Sequence, residues 1–130
     1  MTDEDVRIRN VNAVEAMYQA ERDRDLGVWA ALWSSSGRQT FPTMGADATV
    51  TGLAALRDVT REKFATRPPY GIDAAVDALV DPTLVLARLR LDYPGNPPIY
   101  LWCLFHFDDQ GLITEVEEIF DRGTPAIAGS

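Results

Sequence analysis

Two strand-forming segments near the end of the chain, Leu101–Phe107 and Leu112–Asp121, flank the polar turn Asp108-Asp109-Gln110-Gly111. Side chains alternate faces along a strand. One face of the second segment therefore carries Leu112, Thr114, Val116, Glu118 and Phe120, and the other carries Ile113, Glu115, Glu117, Ile119 and Asp121. Three carboxylates suit the second face to solvent or a partner. On the first face Glu118 stands among apolar neighbours, which points it inward. A buried carboxylate resists ionising, so it can serve as a proton donor or acceptor near neutral pH. Glu118 is the leading candidate catalytic residue. A solvated edge position, or a structural pairing with an arginine, are the plain alternatives.

Other candidates follow from the same alternation. Cys103 shares a face with Leu101, Phe105 and Phe107 and is expected to line a pocket as a small hydrophobe. His106 falls on the opposite face with Tyr100, Trp102 and Leu104. Tyr18 offers a hydroxyl that either donates into a pocket or is capped within the core. Trp33, Phe41, Met44, Phe64, Leu89, Val116 and Phe120 are expected wall residues, with core filling as the competing role. Arg88 and Arg90 alternate with apolar residues and are expected on the outer sheet face, in a charge ladder with Glu115 and Glu117.

The elements that must position these groups are legible along the chain. Residues 4–22 have Val11, Val14 and Tyr18 at helical spacing, with Ala13 and Met17 beside them. The run Glu21–Asp25 makes a polar elbow. A short second helix carries Leu26, Trp29, Ala30 and Trp33 on one stripe, and Ser34-Ser35-Ser36-Gly37 is expected to end it. Arg38–Pro42 reads as a short strand leading into a Pro/Gly loop. Thr51 is the expected N-cap of a third helix reaching Thr66, with Leu53, Leu56 and Phe64 inward. Four strands follow at about 71–80, 83–93, 98–108 and 111–121, joined by short turns that predict antiparallel hairpins. The expected fold is α+β, a cone of three N-terminal helices packed on a curved, mostly antiparallel sheet. It forms one domain with its core over residues 5–122, and residues 123–130 read as a flexible tail.

The chain has 130 residues, 46% hydrophobic, enough for one domain with a real core. Its net charge of −8 argues against nucleic acid or an anionic membrane as partner. One cysteine and one histidine exclude an internal disulfide and leave no cysteine- or histidine-rich metal site. No run long enough to span a bilayer and no secretory signal is visible, so a cytoplasmic protein is expected.

The ordered set Asp25-Leu26, FPTMG at 41–45, VTGLAALRD at 50–58 and FDDQGLITEVEEIFD at 107–121 resembles the SnoaL-like, nuclear-transport-factor-2-like (ketosteroid-isomerase-like) superfamily. The resemblance covers residues 8–122. It implies the cone fold and sheet-to-sheet dimers. The ketosteroid isomerases' base, first oxyanion donor and second donor fall on Phe41, Met17 (with Tyr18 one place on) and Cys103, so their mechanism does not carry over. The polyketide cyclases and phenazine-pathway proteins of the superfamily place an acid in the last strand, which matches Glu118. The Asp–Arg–Asp set of its epoxide hydrolases cannot be assembled from one inward strand face.

The expected function is a cofactor-independent enzyme, of cyclase, isomerase or dehydratase type. It would act on a hydrophobic, secondary-metabolite-like small molecule by proton transfer, with Glu118 as acid or base and Tyr18 as donor. No metal is expected. A non-catalytic small-molecule-binding or accessory protein with the same pocket is the alternative. Tyr100, Trp102 and Leu104 make an apolar outer patch, from which a homodimer is expected.

Overall fold

The computed structural model describes residues 1–45 and 48–120. The expected tail at 123–130, and Asp121 with it, lie outside the described residues. Helix α1 (Asp3–Asp23) starts at Thr2, whose hydroxyl accepts the Asp5 N–H while the Asp5 carboxylate accepts the Thr2 N–H. It ends where Arg24 turns left-handed at φ 53°. Val14, Met17, Tyr18 and Ala20 form its buried stripe, and Val11 and Ala13 pack partly buried beside them. Helix α2 (Leu26–Ala31) is capped by the Asp25 carboxylate on the Val28 N–H.

Six strands follow in one sheet: β1 (Trp33–Thr40), β2 (Val50–Thr51), β3 (Gly71–Ala78), β4 (Leu84–Asp92), β5 (Ile99–Phe107) and β6 (Ile113–Phe120), with α3 (Leu53–Thr66) between β2 and β3. Their spatial order is β2-β1-β6-β5-β4-β3. All neighbours are antiparallel except β1 and β6, which run parallel. The register sets Leu101, Cys103 and Phe105 of β5 between Phe120, Glu118 and Val116 of β6 and Leu89, Ala87 and Val85 of β4. This is the inner face, and all but Glu118 and Phe120 are buried. The helices cover it, making an α+β fold with a mixed, mostly antiparallel sheet.

Four local expectations are corrected. Helix α2 stops at Ala31, and the Ser34–Gly37 run is strand rather than a terminator. The Leu32 carbonyl accepts the Ile113 N–H at 2.9 Å, which draws Trp33 beside Ile113 and starts the sheet there. An irregularity between Trp33 and Arg38 turns Ser35 and Ser36 to solvent. Gly37 then lies so close to the Trp33 ring that a Cβ would sit 2.5 Å from Cε3, so no larger residue fits without moving the indole.

Thr51 is not the cap of α3. It pairs with Arg38 in β2, and Gly52 takes the cap position at φ +92°, a conformation that threonine rarely adopts. Ile113, expected outward, is fully buried. A register shift between His106 and Phe107 exchanges the faces at the start of β6, so Ile113 replaces Thr114 inside. Finally, Arg88 and Arg90 do lie across from Trp102 and Tyr100, but β5 separates them from β6. They pair instead with Asp77 at 3.2 Å and Asp92 at 3.0 Å, while Glu115 pairs with Arg38 and Glu117 with His106.

Candidate functional site

A cavity of about 180 Å³ opens between α1, α3 and the inner face. Glu118 enters it from β6, Tyr18 and Glu21 from α1, Lys63 from α3 and Gln39 from β1, with Phe41, Leu89, Leu101 and Phe120 among its apolar walls. The helical spacings explain the convergence. Tyr18 and Glu21 are three residues apart on one side of α1, and Leu56, Thr60 and Lys63 follow i, i+4, i+7 on one side of α3.

Glu118 still touches solvent through the cavity, yet protein encloses it on nearly every side. Burial is the largest influence on its carboxyl and raises the pKa above the ordinary glutamate value. Gln39, the Lys63 ammonium and Cys103 pull the other way, and the Glu21 charge adds to the rise. The net effect of these influences is a rise. Tyr18 is 4% exposed and packs edge-on against Phe105 at 6.0 Å. Its phenol is pushed well up, first by burial and then by Cys103 and Glu21, so it stays protonated as a donor. Lys63 faces Glu21 at 3.7 Å, and the two side chains are 24% and 14% exposed. Burial works against its charge, but Glu21, Tyr70 and Glu118 outweigh that effect and raise its pKa. The site thus holds a lysine that keeps its charge beside a carboxyl whose pKa is raised by burial.

Of the residues singled out from sequence, Glu118, Tyr18, Phe41, Leu89 and Phe120 come together at this cavity. Cys103 is fully buried directly behind it, across from Glu118, and burial drives its thiol well up, out of the nucleophilic range. Trp33 and Val116 are core residues that do not line it, Met44 is 47% exposed, and Phe64 is half-buried away from it. Sequence reasoning missed Glu21, Lys63 and Gln39. Glu21 sits in a charged run that reads as solvated, and Lys63 is the polar end of an otherwise inward stripe, a signal that was present.

On the outer face, donor atoms of His106, Glu115 and Glu117 lie within 4.8 Å of one another. His106 Nε2 and Glu117 Oε2 are 2.7 Å apart, and Arg38 donates to Glu115 at 2.8 and 3.0 Å. Pairing within the protein accounts for this cluster. Among the described residues no helix is long and apolar enough to cross a membrane.

The fold agrees with comparisons with known proteins. The SnoaL-like domain profile matches residues 14–116, and the chain belongs to that family. The fold is the nuclear-transport-factor-2-like, ketosteroid-isomerase-like one. An LEH-like epoxide hydrolase of M. tuberculosis is 19% identical, with a TM-score of 0.73 over 88% of this chain and 84% of that one. A candidate polyketide cyclase from Xanthomonas campestris is also 19% identical, with a TM-score of 0.73 over 89% and 93%. SalBIII, an epoxide hydrolase/cyclase-like enzyme of pyran ring formation in salinomycin, is 16% identical, with a TM-score of 0.73 over 93% and 95%. Others of similar fold have unknown function. No curated protein matches. Distant relatives therefore include isomerases, cyclases and epoxide hydrolases, and at these identities the likeness defines the fold alone.

The raised pKa of Glu118 has a consequence for stability. Below the ordinary glutamate range both folded and unfolded chains are protonated there. As pH rises the unfolded chain ionises first, binds fewer protons, and stability is lost until the folded carboxyl ionises as well. Glu118→Gln removes that loss. Urea unfolding at about pH 7 should show the variant gaining on the parent by about 1.4 kcal/mol for each tenfold rise in proton affinity, relative to the difference at about pH 4. A difference independent of pH would contradict the burial account.

Proposed function

We propose that the protein is a cofactor-independent, cytoplasmic enzyme that moves a proton on a hydrophobic, secondary-metabolite-like small molecule, in a cyclisation, isomerisation or dehydration. One observation carries the reading: the enclosed Glu118 carboxyl shares a small cavity with the Tyr18 hydroxyl and the Lys63 ammonium. Ionised Glu118 would take a proton from a carbon beside a carbonyl. Negative charge then grows on the carbonyl oxygen, where Tyr18 donates a hydrogen bond and Lys63 supplies positive potential. Return of the proton to another carbon completes an isomerisation, and expulsion of hydroxide from the neighbouring carbon, with its proton supplied by the same carboxyl, completes a dehydration. The aromatic walls exclude water and hold the substrate in place.

The second reading is a non-catalytic binding or accessory protein. It is favoured by Phe41, Met17 and Cys103 standing where the ketosteroid isomerases carry their working groups. Solvent deuterium incorporation into a panel of ketones and diketones separates the two. The enzyme reading expects exchange above the buffer rate. Glu118→Gln should reduce it by about 10²–10⁴-fold while ligand affinity, followed by NMR, persists. Exchange unaffected by the substitution would remove Glu118 from the chemistry, and ligand binding without exchange would favour the binding protein.

We also propose that a second copy of the chain covers the outer face of the sheet. Tyr100, Trp102 and Ile119 are 51%, 55% and 47% exposed there, while Leu104, expected in the same patch, is half-buried; the exposed residues make an unusual apolar patch for a monomer. Arg88 and Arg90 flank the patch on the β4 side, and Glu115 and Glu117 on the β6 side. A two-fold axis along β5 sets the β4 flank of each copy over the β6 flank of the other and closes the apolar patch of each on that of its partner. Sedimentation should give a dimer that Trp102→Glu dissociates. A concentration-independent monomer, or a dimer indifferent to that substitution, would contradict it.

A further inference from the structure

The cavity around Glu118 is small for a secondary metabolite. Its volume of about 180 Å³ falls below the roughly 300–1,000 Å³ of ordinary ligand sites. It does not end abruptly, however. Beside it lies an apolar groove of about 670 Å³ between the end of α3 and the β4–β5 turn, floored by Tyr93, Pro97, Pro98 and Ile99. Arg67, Leu91 and Phe120 line both spaces, so the two meet edge to edge.

Two aromatic pairs cross the junction. Tyr70 of the cavity stacks on Tyr93 of the groove, with centroids 4.5 Å apart and planes at 21°. Phe41 of the cavity stacks on Phe120, which faces both, at 6.3 Å and 16°. The wall is thus a continuous apolar surface leading outward from Glu118. Arg67 stands at the throat. Its Nη1 donates to the Tyr93 hydroxyl at 3.2 Å, and among the described residues no carboxylate pairs with it. The inner chamber is tight and carries the polar groups Glu118, Tyr18 and Lys63, the outer groove is apolar and open, and a spare cationic donor marks the boundary.

Resting on the proton-transfer reading of Glu118, we propose that the substrate is a two-part molecule. A compact carbonyl-bearing head occupies the inner chamber, an oxygen at the throat accepts from Arg67, and an unbranched or flat apolar tail lies along the Tyr93–Ile99 groove. The occupant of the groove is the tail of the same ligand whose head reaches Glu118, because the two spaces share walls and the inner chamber by itself falls below ligand size.

The test uses acetylacetone and straight-chain homologues lengthened at one end, with the intact protein and NMR titration. Affinity should rise about two- to fourfold for each added methylene until the groove is filled. Ile99→Thr, at a 38% exposed position that burdens the fold little, and Pro98→Ser should flatten that dependence while leaving acetylacetone binding unchanged. Arg67→Met should weaken every diketone by a similar factor. Glu118→Gln should reduce protein-dependent deuterium exchange by the same factor as above yet keep the chain-length dependence, so a failure of the proton-transfer reading is separable from a failure of the groove. Affinity independent of chain length overturns the proposal. So does a change of sedimentation mass in the groove variants, which would assign the groove to a second copy.

Discussion

One inward carboxylate constrains the whole inner face of this protein. Alternation along β6 delivers Glu118 into a surface otherwise built from Leu101, Cys103, Phe105 and Val116. A charge buried there without help would be costly. The fold answers with a cavity beside it, the Gln39 side chain, and a lysine from α3 that is itself held by a glutamate from α1. The helices therefore do more than cover the sheet. They carry Tyr18, Glu21 and Lys63 to the place where Glu118 and Gln39 interrupt the apolar inner face.

That arrangement sets the chemistry the site can support. Burial outweighs the nearby cation, so the pKa of Glu118 moves up, toward the range in which a carboxyl can exchange protons, instead of down as in an ion pair. Lys63 spends its closest contact on Glu21 and acts on Glu118 through space. A carboxyl balanced in this way can give a proton and take one back. Cys103, directly across the strand pair, is too deeply buried to compete as a nucleophile.

Much of this was legible in the sequence. Alternation on β5 and β6 placed Glu118, Cys103 and Phe120 on the inner face, and helical spacing placed Tyr18 there. What was not legible came from non-local pairing. The parallel partnership of β1 with β6 turned a serine run into a strand, and a register shift at Phe107 moved Ile113 inside. Neither can be read from local propensity, because the hydrogen bonds that decide them join residues about eighty positions apart in one case and cross a turn in the other. Lys63 and Glu21 were hidden for a different reason. Charged residues on helices are usually solvated, and only the stripe they share with Leu56 and Thr60, or with Tyr18, marks them as inward.

The central claim is that enclosure by the protein, more than any neighbouring charge, governs the Glu118 proton. A carbon-13 NMR titration of its side-chain carboxyl, in the parent and in Lys63→Met, measures this directly. The account predicts a parent midpoint above that of an ordinary glutamate and a further rise when the Lys63 charge is removed. A midpoint at or below the ordinary value, rising only when Lys63 is lost, would mean that Glu118 is one half of an ion pair and contradict the claim.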